Sequence, residues 1–198
     1  MKRISVCLQL EADVESGRDL ALLENNYQSV FKKLLSFIYS HPNLHMSVAF
    51  TGPQVEYYEL KHPESIELIR ELTCDKRLEI IGGGFYAPVF PLAYPVDRSS
   101  QIEKMNSVLR RLVGKRPSGM YLFGSVWDPG LTVTFKSCGM DYVFLDSSVV
   151  PERHLVYKPI ITGEQGKFIK VLPQYRNFVP SGEESISEWL KRLEKGVA

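Results

Sequence analysis

The chain has 198 residues, the size of one domain, with 24 Lys plus Arg against 23 Asp plus Glu and a formal net charge of +1. That near-balance leaves no electrostatic footprint for a phosphate backbone or an anionic lipid surface, which excludes nucleic acid and membrane as expected partners. The opening run MKRISVCLQLEADV is interrupted by Gln9 and Glu11 and lacks a small-residue cleavage site, so it reads as neither signal peptide nor transmembrane helix, and the expected location is cytoplasmic.

In chain order, short apolar β-branched runs alternate with amphipathic helical stretches, the pattern of repeated βα units around a mostly parallel sheet. Strands are predicted at 3–10, 45–50, 78–81, 119–123, 142–145 and 168–172. A helix over 21–39 carries Leu22, Leu23, Tyr27, Val30, Phe31, Leu34 and Leu35 at helical spacing, and 65–72 and 99–112 behave alike. Two extended runs around residues 163–166 predict a hairpin inserted over 156–172. A last helix is expected after Ser181, capped by that residue with Glu184 three positions on, with Ile186, Trp189, Leu190 and Leu193 as its buried stripe. No repeat, low-complexity tract or linker interrupts the series, which predicts a single domain over 1–198.

Cys7, Cys74 and Cys138 are odd in number, far apart and in apolar settings, which suits buried reduced thiols better than a disulfide frame or a zinc site. His41, His45, His62 and His154 show ligand-like spacing only in the His41/His45 pair, which spans Pro42 and cannot lie on one continuous helix. Neither a metal nor a cofactor is expected.

Residues 79–91, EIIGGGFYAPVFP, place three glycines and an aromatic pair where a buried strand ends and its loop begins, and such strand ends are where barrel enzymes keep their sites. Residues 115–131, KRPSGMYLFGSVWDPGL, put Pro117 before a strand and Trp127 and Pro129 just past its end. Together with TGPQVEYY at 51–58, Gln101-Ile102 and ITGEQGK at 161–167, these segments resemble glycoside hydrolase family 57, of the α-amylase and 4-α-glucanotransferase type, over essentially the whole chain. The resemblance implies an α/β fold, an incomplete (β/α)7 TIM-like barrel, with this chain as its amino-terminal portion lacking the last strand. It also implies retaining chemistry on α-glucans, which requires two carboxyl groups about 5 Å apart, one a nucleophile and one an acid/base.

The residues at the matching positions depart from that chemistry. Where the family's fourth strand ends in Trp-Leu-x-Glu-Arg-Val-Trp, this sequence reads Tyr121, Leu122, Phe123, Gly124, Ser125, Val126, Trp127, so Gly124 stands at the nucleophile position. The family's His-x-His-Gln is matched by Leu8, Gln9, Leu10 and Glu11, and its Phe-Tyr-Glu-Pro by Phe85, Tyr86, Ala87 and Pro88. The family's acid/base Asp belongs to a strand expected beyond Ala198. The resemblance therefore predicts a non-catalytic homologue that binds carbohydrate or regulates a glucan-active partner. The competing readings are an active amylase or glucanotransferase with relocated or partner-supplied carboxylates, which turnover would reveal, and a structural protein without sugar ligand, which absence of binding would reveal.

Asp128 and Asp146 are the candidates for relocated catalytic carboxylates, although Asp128 also suits a turn or helix cap. Asp146 matches the first residue of an Asp-Asp pair in the family, with Ser147 in place of the second. Glu11, Phe85, Tyr86, Tyr121, Trp127 and Asp146 are the candidate residues for binding an α-glucan or maltooligosaccharide, weakly, because aromatic faces at strand ends stack on sugar rings. Phe90 and Tyr94 belong to the same aromatic group. The absent last strand predicts open edges, covered by the last helix, by a partner chain or, most simply, by a symmetric dimer.

Overall fold

The computed structural model describes the backbone of residues 9–11, residues 19–149 and 158–174, and residues 184, 185, 187–189, 191 and 192. Strand β1 (Gln9–Glu11) precedes helix α1 (Leu20–Asn26), a π-helical turn at Tyr27–Phe31 and helix α2 (Lys32–Ser40). Strand β2 (Met46–Ala49), helices α3 (Gly52–Lys61) and α4 (Pro63–Cys74), strand β3 (Leu78–Ile81) and helix α5 (Pro95–Val113) follow. Strand β4 (Gly119–Tyr121), helix α6 (Leu131–Ser137), strand β5 (Tyr142–Asp146) and the hairpin of β6 (Ile160–Glu164) and β7 (Lys167–Gln174) complete the series.

Strands β1, β2 and β3 are parallel neighbours, and β4, β5 and β7 form a second parallel set with β6 antiparallel at its end. A single parallel bridge stitches the two sets together. The Gly82 amide donates to the Gly119 carbonyl and the Tyr121 amide to the Gly82 carbonyl, both at 2.9 Å. The described strands thus establish an α/β fold in one largely parallel series, β1-β2-β3-β4-β5-β7-β6. Closure into a barrel is not seen among them.

Alternation along each strand separates two faces. Val48 and Ile80 lie with Tyr27, Phe31, Leu35, Ile69 and Leu109 in one core beneath α1 to α5. Met120, Val143 and Val171 lie with Leu131 and Phe135 in a second core beneath α6. The opposite face gathers Ala49, Ile81, Tyr121, Phe123 and Phe144. That third cluster fills the side of the sheet on which a barrel would have its interior.

The predicted strands at β2, β3, β4, β5 and β7 are all present, as are the predicted helices at α1–α2, α4 and α5 and the hairpin. Residues 3–8 of the first strand and residues 156–157 of the hairpin lie outside the described residues. Helices α3 and α6 were not anticipated. For α3 the signal was present in Thr51-Gly52-Pro53-Gln54: the Thr51 amide and hydroxyl both donate to Gln54 Oε1, at 3.0 and 3.1 Å, and Pro53 sits in the first turn. The capping of the last helix falls later than expected, because Ser185 and Glu188 make the reciprocal bonds while Glu184 pairs with Arg192. Ser181, Ile186, Leu190 and Leu193 lie outside the described side chains. Cys138 is buried but Cys74 is exposed at the end of α4, contrary to expectation, because it falls on the solvent side of the amphipathic stripe that buries Ile66, Ile69 and Leu72. Cys7 lies outside the described residues. No helix among the described residues is long and apolar enough to cross a membrane.

Candidate functional site

The carboxyl ends of β3, β4 and β5 carry the loops to which the sequence pointed. After β3 the run Gly82-Gly83-Gly84 has none of the positive φ angles that a flexible turn would need. Room, rather than freedom, requires these glycines. A Cβ on Gly82 would lie 2.8 Å from Pro117 Cγ, one on Gly83 3.1 Å from the Phe123 ring, and one on Gly84 2.2 Å from Pro88 Cδ. The triplet therefore lets the β4 segment and the following loop close onto the strand end.

Phe85 is completely buried, and its ring lies so close over Gly52 that a Cβ there would sit 2.3 Å from it. The Gly52 amide donates to the Phe85 carbonyl at 2.7 Å, and the Tyr86 amide to Gln101 Oε1 at 2.9 Å, which pins the loop between α3 and α5. Tyr86 is 55% exposed, edge-on to Phe85, and its hydroxyl accepts from Lys104 Nζ at 3.0 Å. The same ammonium lies 3.8 Å from the centre of the Phe85 ring. Sequence reasoning did not single out Lys104, although its spacing of three from Gln101 on a helix places both on one face.

Past β4 the chain makes a tight turn in which the Ser125 amide donates to the Leu122 carbonyl at 2.9 Å. Gly124 has φ +81° and Ser125 φ +54°. A four-residue turn closed in this way with a left-handed third residue is of type II, where glycine is preferred. Ala87, the other position at which the resemblance expects a pocket carboxylate, is also left-handed, at φ +50°, and packs against the inner cluster. Tyr121 is only 3% exposed and stands edge-on to Phe123 within that cluster. Trp127 is half-buried and leans on Phe135 of α6, in the helix-side core that also holds Phe90.

Both candidate carboxylates serve turns. Asp128 Oδ1 accepts from the Gly130 amide at 2.8 Å, just before α6, and Asp146 Oδ1 accepts from the Ser148 amide at 2.9 Å, just past β5. Asp146 lies opposite Gln174 in the β5–β7 register. Glu11 closes β1 opposite Ala49, and its side chain lies outside the described atoms. The structure thus distributes the predicted aromatics over three clusters, Phe85 in the first helix-side core, Tyr121 in the inner one and Trp127 in the second. Of the six predicted binding residues Tyr86 has the most exposed ring among those described.

A cavity of about 290 Å³ opens at the other end of the sheet, between the amino ends of β3 and β4, lined by Lys76, Leu78, Glu79, Arg116 and Ser118. It has no part in the predicted site. Among the described residues no group of three His, Cys, Asp or Glu side chains is placed to hold a metal ion.

The sequence matches the family model described as glycosyl hydrolase family 57 over residues 4–187. It is 30% identical over 156 residues to alpha-amylase 1 of Dictyoglomus thermophilum, covering 77% of this chain and 23% of that protein. It is also 30% identical over 183 residues to the 4-alpha-glucanotransferase of Thermococcus kodakarensis, covering 88% of this chain and 28% of the relative. The crystal structure of 4-alpha-glucanotransferase from Thermococcus litoralis superposes with a TM-score of 0.81 at 27% identity, over 90% of this chain and 29% of that one. The alpha-amylase AmyC from Thermotoga maritima shares the fold, at a TM-score of 0.69 and 16% identity, over 87% of this chain and 45% of that one. The chain spans roughly a quarter of the length of these curated relatives.

Proposed function

Because the chain belongs to glycosyl hydrolase family 57, we propose that it is a member of α-glucan metabolism that binds maltooligosaccharide at the carboxyl ends of its strands without cleaving it. The strands in this reading are the amino-terminal part of an incomplete (β/α)7 barrel, and the protein is cytoplasmic. The observation that carries the proposal is the turn after β4. Retention needs a carboxylate within bonding reach of the anomeric carbon. At the matched position stands Gly124, whose φ of +81° L residues rarely adopt and whose turn is closed by a backbone hydrogen bond. The loss is therefore built into the loop and is more than the removal of a side chain.

The alternative carboxylates support the same reading. Asp128 and Asp146 each accept a backbone amide two residues on through Oδ1, so each carboxylate helps to close a turn. Tyr86 offers a ring for sugar stacking: it is exposed and sits on a loop pinned by Gln101, with Lys104 Nζ at its hydroxyl and 4.6 Å from the ring centre. Trp127 offers a second, half-buried face. Glucan binding on such a surface is expected to be weak, in the millimolar range, or about −4 kcal/mol.

Calorimetric titration with maltoheptaose tests this. Saturable binding that falls on Tyr86→Ala, with the variant's melting temperature unchanged, is the expected result. Silence at saturating sugar would remove the glucan from the proposal and leave a structural role.

A further inference from the structure

Among the described residues strand β6 ends the strand order, and its outer edge is the feature that the glucan reading leaves unused. Glu164 and Lys167 flank the two-residue turn Gln165-Gly166, whose φ angles of +50° and +74° are those of a type I′ hairpin. The flanking pair of such a hairpin exchanges both its backbone hydrogen bonds, and bonding alternates along the ladder. The amide and carbonyl of Thr162 therefore point toward β7, while those of Ile161 and Gly163 point away from it. On the face shared with these two residues, Ile161 is 70% exposed and Phe168 66% exposed. The Phe168 ring lies directly over Gly163 and takes the space a side chain there would need, since a Cβ would stand 2.6 Å from it.

We propose that this edge pairs with the same edge of a second copy of the chain, antiparallel, about a two-fold axis at Thr162. Antiparallel pairing is the only arrangement that a two-fold permits between identical strands. In this register Ile161 stands opposite Gly163 of the second copy, and the two pairs exchange four backbone hydrogen bonds. Ile161 then packs on the Phe168 ring that lies over the glycine of the other copy, so four exposed apolar side chains cover one another. On the opposite face Thr162 meets Thr162 and Ile160 meets Glu164 of the other copy; continued two residues beyond the strand, the same register brings Lys158 diagonally across from that Glu164, twice, so the charges flanking the pairing are complementary. Shifting the axis by one residue to Ile161 would pair Gly163 with Pro159, which has no amide to give, and shifting it to Gly163 would pair Ile161 with the turn residue Gln165. The pairing extends each sheet through the other and removes the exposed edge. It does not depend on glucan binding.

Sedimentation velocity over a concentration series tests the proposal. The wild-type chain should move reversibly from monomer toward dimer. Ile161→Pro removes an amide that the β6–β7 ladder does not use, and Ile161→Lys puts a charge against the Phe168 ring; both should stay monomeric with an unchanged far-ultraviolet spectrum. Lys158→Glu should weaken the dimer by about threefold to thirtyfold, and adding Glu164→Lys should restore it. A wild type that stays monomeric, which would assign the edge to some other strand, overturns self-pairing, and so does a dimer that persists in Ile161→Pro.

Discussion

At position 124 the cost of a side chain lies in the backbone. Left-handed φ costs a non-glycine residue roughly 1–2 kcal/mol, and at Gly124 nothing lies within 4 Å of the point where a Cβ would be, so there is strain without a steric clash. Gly124→Glu should therefore lower stability by about 1 kcal/mol, or a melting temperature by about 2–4 °C for a chain of this size, and produce no turnover on an aryl maltoside. Thermal melts and a chromogenic assay check both halves; a variant that melts with the wild type and cleaves the glycoside would show that the loop tolerates the carboxylate. Sequence alone identified the glycine and could not identify its φ. The same gap explains Phe85 and Tyr121, singled out as ligand-facing aromatics, whose burial depends on Gly52 and on the inner cluster, contacts made across the sheet rather than along the chain. Tyr86 follows Phe85 in the turn that the Ala87 amide closes on the Gly84 carbonyl, and there its ring is 55% exposed while that of Phe85 is buried.

Among the elements, α1 is held to the α3–α4 junction by a polar clasp. Glu24 Oε2 accepts from the Tyr57 hydroxyl at 2.5 Å and lies 2.8 Å from His62 Nε2, while Gln28 reaches Oε1 at 2.8 Å. His62 is stacked on Tyr27 with ring centres 3.5 Å apart, at the start of the π-helical turn. The Tyr57 bond above all, then those from Gln28 and His62, hold the Glu24 carboxyl down at about 2 from an ordinary 4.5. A carboxyl depressed on folding stabilises the protein fully above its unfolded value and loses that stabilisation as the pH falls from 4.5 toward 2. Urea unfolding at neutral pH and at about pH 3 should show wild type losing more stability on acidification than Glu24→Gln; equal losses would mean the clasp contributes nothing in the folded state. The elements themselves were legible where apolar residues recur over a turn or more, as in α2 and α5, and illegible where a cap rather than a stripe defines them. Helix α3 has little amphipathic contrast because Val55, Tyr57 and Tyr58 bury most of its circumference, and α6 is only seven residues long.

On the scale of the molecule the described strands form a largely parallel series with helices against one face and an aromatic-rich cluster against the other. Alternating strands and helices made that class readable from sequence. The Gly82 bridge, which makes two strand sets continuous, was not readable, because it depends on glycine's small size at a contact between residues far apart in the chain. The inner cluster of Ile81, Tyr121, Phe123 and Phe144 fills space beneath the strand ends, and in our reading glucan is held above it by Tyr86 and Trp127 and is released intact. One nuclear magnetic resonance titration with maltoheptaose reports on the protein and the sugar in the same tube. Saturable shifts of the Tyr86 and Trp127 ring signals are expected, while the sugar's reducing-end signals stay constant over days. Reducing-end signals that grow in proportion to protein concentration, and stop growing in Asp128→Asn or Asp146→Asn, would contradict it.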